Sequence, residues 1–479
     1  MFKFLVTLLL LYLIQGCASI EKLQSEPWLK SKSNNFTLYS KLNETENKSI
    51  LENLEAFRTL INLTNKDNIT HTFPTEIYVM NKDEAHLFDI SKNIGGYFDN
   101  NLDKNVIYLR YYKKTQEMIS TILHEYVHYV HAQREASFPR WFEEGTAEYL
   151  SGVEIGKDKL ILGAIQKGRL AWLEYEKWLP AKDIINPGDM SEWSRTDLGM
   201  FYAQSWLITF YLNNRALPEG QSYSTQLNNY VSALLKGKDK IHAFESAFNL
   251  KIEKVNRAIK SYWKEGKFRK FSLNKSILLK DVHIKTQKLN QGETNLMLGK
   301  FAYSREQTKQ SLFYFDKAST FETQKNKAFI GKAKTLILDK AYDEASNVLQ
   351  QVNETNADLS ELYFTKAQLN FALAKKIEDK KTQIDFANKA LKELVTAWKL
   401  DKTNAKIYYL YGLISLNFDL DLSRAVSMLE EAIYHNPSNV GLKVMLFRAK
   451  ILTSYKQSYE YGQRLLASFN SEYHLSAVD

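Results

Sequence analysis

The 479-residue chain has one cysteine, Cys17, so no disulfide framework can form within it. It carries no arginine-rich run and no nucleic-acid-binding motif, which argues against a nucleic-acid partner. Past residue 14 there is no apolar segment long enough to cross a bilayer as a helix. What it has in excess is positive charge: the formal net charge is +9. That excess fits either anionic partners such as lipid head groups or ordinary lysine-rich solvated faces, and the second reading is preferred.

With 44% hydrophobic and 13% aromatic residues the composition is that of a globular protein. The length predicts two or three domains. The N-terminus, MFKFLVTLLLLYLIQGCASIEK, opens with Lys3 and an apolar run from Phe4 to Ile14, the pattern of an export signal too short to span a membrane. It ends at Ile14-Gln15-Gly16-Cys17, which resembles a bacterial lipobox. Residues 1–17 are therefore expected to be a lipoprotein signal peptide, with Cys17 lipidated. Neither Ala18 nor Ser19 is acidic, so the expected location is the bacterial cell envelope, at the outer membrane facing the periplasm.

Residues 18–33 read as a polar tether. A catalytic domain is expected over 34–268, with strands at NFTLYS, TEIYVM (75–80) and NVIYLRY (105–111), an amphipathic helix at KSILENLEAFRTLINLT, and NIGGYFDNN as a turn-rich link. Strand 105–111 is the expected edge for an extended peptide. From Gln116 onward helical patterns dominate. Residues 269–291 lose periodicity and read as a linker. Beyond it, AKIYYLYGLISLNFDLDLSRAVSMLEEAIYHNPSN (405–439) resembles a tetratricopeptide unit through Gly412, Ala425, Ala432 and Pro437. Weaker copies carry Gly299, Phe315 and Ala318, then Ala333, Ala345 and Leu349, then Ala367, Ala390 and Ala397. The expectation for 292–479 is a helical solenoid whose surface holds a protein partner.

The chemistry concentrates in TILHEYVHYVHAQREASFPRWFEEGTAEYL, residues 121–150. His124 and His128, four apart on a helix, share one face, a spacing that lets two imidazoles bind one tetrahedral zinc and leaves Glu125 beside the open position. Zinc lowers the pKa of its water towards about 7, and the glutamate can take that proton. A third ligand is needed. Glu144 is the better candidate, because Glu143 shares a face with Ala147 and Leu150. Glu148, one turn on, is placed to accept an imidazole N–H. His131 reads as surface or supporting, and the other histidines lack metal spacing. Tyr202, on the expected helix LGMFYAQSWLITFYL (198–212), is either a donor to a developing oxyanion or a core aromatic.

Taken together these motifs resemble the gluzincin metallopeptidases: His124-Glu125-Tyr126-Val127-His128 matches their HExxH helix. Glu144-Gly145-Thr146-Ala147 is similar to the segment carrying their third ligand, and Glu148 matches the acidic supporting position of thermolysin-like members. The strongest resemblance, over residues 34–215, is to the peptidase MA-like group, and it extends to the Tyr-Ala-Gln-Ser segment that includes Tyr202. The resemblance implies an α+β zincin-like metallopeptidase domain, one Zn2+ per chain and hydrolysis of peptide bonds. The motif that grips a free amine in classical aminopeptidases is missing, which weighs against exopeptidase action. Two rivals stand beside a peptidase: a zinc-containing pseudo-enzyme working as an envelope adaptor, and a hydrolase acting on a cell-wall amide. Glu125 argues against the first, since a structural zinc needs no base.

Overall fold

The computed structural model describes residues 20–64, 75–92, 94–100, 105–111, 115–132, 138–156, 158–165, 167–214, 223–266, 268, 270–437, 439–454 and 461–462. Its first part is built on a six-stranded mixed sheet. In chain order the elements are β1 (Leu29–Lys32), β2 (Phe36–Ser40), α1 (Glu44–Thr64), β3 (Thr75–Met80), α2 (Lys82–His86), β4 (Gly96–Asn100) and β5 (Asn105–Arg110). The sheet order is β4-β5-β3-β2-β1-β9, where β9 is Lys285–Lys288. Strands β2, β3 and β5 run parallel, while β4, β1 and β9 are antiparallel to their neighbours.

Side-chain alternation along the central strands feeds two cores. Ile77, Val79, Ile107 and Leu109 face α1 and the helix α3 (Thr115–Ala132), where Leu54, Phe57, Ile122 and Leu123 complete one apolar cluster. Tyr78, Met80, Val106 and Tyr108 point the other way, into a second cluster. After α3 come α4 (Arg140–Ser151), β6 (Glu154–Ile155), β7 (Lys159–Leu162), α5 (Lys167–Tyr175), α6 (Ala181–Ile185), α7 (Arg195–Asn214), α8 (Tyr223–Leu235), α9 (Lys240–Phe248) and α10 (Ile252–Glu265). Trp141 of α4 is fully buried among Tyr230, Phe244 and Phe248, which fastens α4 to α8 and α9.

Three expectations need correction. Residues 29–32, assigned to the tether, form β1 and pair on both sides, with β2 and with β9. The stretch 269–291, read as a linker, carries β8 (Phe271–Asn274), the short α11 (Lys275–Leu278) and β9. Strand β8 closes a small antiparallel sheet with β7 and β6, Lys275 donates to Asn53 at 2.9 Å, and the Asn34 side chain donates to the Asp281 carbonyl at 2.8 Å. Each of these strands is four residues long, with Leu29 alone apolar in β1, Phe271 and Leu273 in β8 and none in β9, too few for an alternation to stand out. Finally, 105–111 is not an edge. Residues 96–100, within the expected turn-rich link, form β4, which covers β5 and is itself the outermost strand.

The remaining helices stack as tetratricopeptide-like hairpins: α12 (Gln291–Ser304) with α13 (Thr308–Ser319), α14 (Lys325–Leu338) with α15 (Tyr342–Gln350), α16 (Leu359–Lys376) with α17 (Lys380–Leu400), and α18 (Ala405–Phe418) with α19 (Leu422–His435), followed by α20 (Val440–Thr453). The small residues picked from sequence sit where helices meet: Ala333, Ala345, Ala367, Ala390, Ala397, Ala425 and Ala432 are buried. A Cβ on Gly412 would fall 2.6 Å from the Leu429 side chain, so any larger residue there would have to displace Leu429. The first hairpin belongs as much to the sheet as to the array. Phe301 packs on Tyr78 at 4.4 Å and on Phe88 at 4.9 Å, and Gln310 donates to the Leu87 carbonyl. The two faces of the sheet are thus covered by α1 with α3 and by the first hairpin.

Candidate metal centre

Helix α3 buries Ile119, Ile122, Leu123, Tyr126, Val127 and Val130 and leaves Thr121, His124, Glu125 and His128 half-buried on one stripe, the i, i+3, i+4, i+7 spacing of a single face. Helix α4 crosses this face and, through Gly145, also lies close against α7: a Cβ there would meet the Ser205 carbonyl and the Thr209 hydroxyl of α7, each at 2.4 Å. The crossing delivers Glu144. Its Oε2 lies 3.5 Å from Nε2 of His124 and 3.5 Å from Nε2 of His128, and the two imidazole nitrogens are 3.1 Å apart.

Three donor atoms so arranged fit a small tetrahedral cation. Zinc bonds near 2.05 Å at tetrahedral angles put donor atoms about 3.3 Å from one another, close to the separations found. Among the described residues, His124, His128 and Glu144 form the one group of three such side chains with ligand atoms all within 4.8 Å. Two imidazole nitrogens facing each other across a carboxylate make poor hydrogen-bond partners for themselves and good ones for a shared cation.

The three groups are also electrostatically coupled. Burial disfavours the Glu144 carboxylate, but hydrogen bonds and charge from both imidazoles more than offset it and hold its pKa well below the ordinary range. Burial likewise opposes the charged His128 ring, and Glu144 overcomes this to raise its pKa. Glu125 moves up: desolvation outweighs the nearby imidazoles and a hydrogen bond from the Phe98 backbone N–H. That N–H belongs to β4, which approaches closely because residue 96 is glycine. A Cβ there would sit 2.8 Å from Thr121 and 3.6 Å from Glu125.

Behind the ligands, Nδ1 of His124 is 3.5 Å from Oε1 of Glu148. Glu148 is almost fully buried and is gripped by Arg169 of α5, whose Nε donates to Oε2 at 2.9 Å and whose Nη2 donates to Oε1. The Arg169 guanidinium also lies over the Tyr202 ring at 5.2 Å. Tyr202, on α7, is held beside Glu144: burial and the Glu144 charge raise its pKa, opposed by hydrogen bonding from Arg140. His131 turns from the cluster and packs on Phe138 and Phe142.

His124, His128 and Glu144 thus come together with Glu125, Glu148 and Tyr202 beside them, while Cys17 lies outside the described residues. Sequence reasoning missed Arg169, which has no motif around it. The Gly96-Tyr97-Phe98 segment belongs to the resemblance to the peptidase MA-like group, but its place as a strand against Glu125 was not read from sequence.

Residues 118–228 match a family model described as "Protein of unknown function (DUF1570)". The matched stretch contains His124, Glu125, His128, Glu144, Glu148, Arg169 and Tyr202. No curated protein matches. Among solved structures the chain is similar to a thermophilic TPR protein from Thermus thermophilus, at 16% identity over 38% of this chain and 93% of that one, with a TM-score of 0.32. It is similar to YrrB, described as a TPR protein with an unusual peptide-binding site, at 15% identity over 37% of this chain and 85% of that one, TM-score 0.28. MamA matches at 16% identity over 39% of this chain and 98% of that one, TM-score 0.30.

Proposed function

We propose that the chain is a zinc-dependent peptidase of the bacterial cell envelope, of the gluzincin kind and with a zincin-like catalytic domain. It is anchored by a lipid on Cys17 at the outer membrane facing the periplasm. Its helical hairpins bind a protein partner or present substrate. The observation that carries the reading is the convergence of His124, His128 and Glu144 on one point with the carboxylate of Glu125 beside it. Zinc held there would polarise a carbonyl and acidify a water. Glu125, desolvated and steered by the Phe98 N–H, accepts a proton from the attacking water and passes it to the leaving amine. Tyr202, beside Glu144, offers its hydroxyl to the oxygen on which charge develops. Glu148 faces the Nδ1 of His124 and leaves its Nε2 lone pair for the cation. The outer edge of β4 runs alongside and is the strand able to align an extended peptide.

A structural zinc needs no base beside its open position, so a catalytically silent adaptor would have no use for Glu125 there. The test is hydrolysis of a broad peptide library by the zinc-loaded full chain in mild detergent, beside Glu125→Gln. The reading expects cleavage by the parent and a loss of about 10²–10⁴-fold in the variant, with metal retained. Cleavage of purified peptidoglycan but no peptide would replace the substrate class with a cell-wall amide. No cleavage of either, with Glu125→Gln indistinguishable from the parent, would leave the adaptor.

A further inference from the structure

Glu148 approaches the centre from behind, and its position is set by a residue from another element. Both of its oxygens are held by the fork of Arg169: Nε to Oε2 at 2.9 Å, Nη2 to Oε1. Oε1 is the oxygen that faces Nδ1 of His124 at 3.5 Å. Arg169 is itself pinned, with its guanidinium over the Tyr202 ring at 5.2 Å and only a quarter of its side chain exposed. The Glu148 side chain is 5% exposed, so a rotamer change would carry a buried carboxylate away from both Arg169 and His124. A planar guanidinium making two parallel bonds leaves a carboxylate far less angular freedom than one made by an ammonium.

We propose that Arg169 is a positioning residue for the metal centre. By clamping Glu148 it fixes the tautomer and ring orientation of His124, and by stacking on Tyr202 it fixes the ring that lies beside Glu144. A chain then runs Arg169–Glu148–His124 into the cluster from one side and Arg169–Tyr202 towards it from the other. The geometry explains why a buried ion pair is spent here: outer partners of ligating histidines set metal affinity, and losing one costs about 10–100-fold. The inference rests on the metal-site reading of His124, His128 and Glu144 and not on proteolysis.

The test is zinc affinity of the full chain, by competition with a chromophoric chelator, in the parent, Arg169→Lys, Arg169→Met, Glu148→Gln and the Arg169→Met/Glu148→Gln pair. The nitrogen-15 shifts of His124 in the metal-free chain are recorded alongside. Arg169→Met is expected to weaken zinc binding by about 10–100-fold, with Arg169→Lys in between. In the Glu148→Gln background the same change should add less than about threefold, because the route through Glu148 is already cut. The double variant leaves no unpaired buried carboxylate, so it reports on the centre even where Arg169→Met folds poorly. The parent should show Nδ1 of His124 protonated, and Arg169→Met a smaller Nδ1-protonated fraction. Equal zinc affinity in parent and Arg169→Met, or fully additive losses in the pair, would overturn the proposal. Zinc-binding parent protein that cleaves no peptide would instead sink the peptidase reading and leave this one standing.

Discussion

Adding one methyl group at Gly145 should damage both the fold and the metal centre. In Gly145→Ala the new Cβ would lie 2.4 Å from the Ser205 carbonyl oxygen and 2.4 Å from Thr209 Oγ1, about 1 Å inside the 3.4 Å at which ordinary contact begins. Neither neighbour can yield cheaply: one is helix backbone and the other a buried β-branched side chain. Helix α4 must therefore move off α7. Overpacking of this kind costs about 1–3 kcal/mol, and the better helix propensity of alanine returns up to about 1 kcal/mol. A net destabilisation of about 1 kcal/mol is expected, read as a lower thermal midpoint of the metal-free chain. Glu144 precedes Gly145 on the same helix, and its Oε2 now sits equidistant from two imidazoles. A site that tolerates errors of about 0.5 Å should then lose more than tenfold in zinc affinity. The control is Gly168→Ala on α5, where a Cβ would meet nothing within 4 Å and stability should hold or rise slightly. A Gly145→Ala protein as stable as the parent and with unchanged zinc affinity would refute the argument that close helix approach positions Glu144.

Two further outcomes follow. Phe301→Ala removes the ring packed on Tyr78 and Phe88 and should cost about 3–5 kcal/mol, loosening the first hairpin from the sheet; a thermal midpoint and protease resistance equal to the parent's would contradict the shared core. In the metal-free chain, the raised pKa values of His128 and Glu125 contribute stability that is complete below their unfolded values near 6.5 and 4.5 and is lost as pH rises through their folded values, whereas the depressed Glu144 contributes stability above about 4.5 that is lost on acidification through its low folded value. The chelated protein should thus lose thermal stability between pH 6 and 8 by more than His128→Gln does, and a parent curve that rises over that interval would count against the pairing.

The parts of the site that sequence revealed are those whose geometry is local. His124, Glu125 and His128 lie on one helix, as do Glu144 and Glu148, so helical spacing alone puts each set on a common face. The hydrophobic strands β2, β3 and β5 and the alanines of the hairpins were legible for the same reason. What escaped depends on distant pairing. Arg169 meets Glu148 only because the chain beyond the β6–β7 pair lays α5 against α7. Strands β1 and β9, more than 250 residues apart, pair through backbone with polar side chains that show no period. Gly96 resembled a turn glycine, yet its role is close approach of β4 to Thr121 and Glu125. The domain boundary blurred because Phe301 and Tyr314, read as part of a separate array, complete the second core of the sheet.

The most direct measurement of the central claim is the zinc content, by elemental mass spectrometry, of the purified full chain beside His128→Ala and Glu125→Gln. The account predicts about one zinc per chain, lost in His128→Ala and kept in Glu125→Gln. Substoichiometric metal in the parent, or metal that survives the loss of His128, would contradict it.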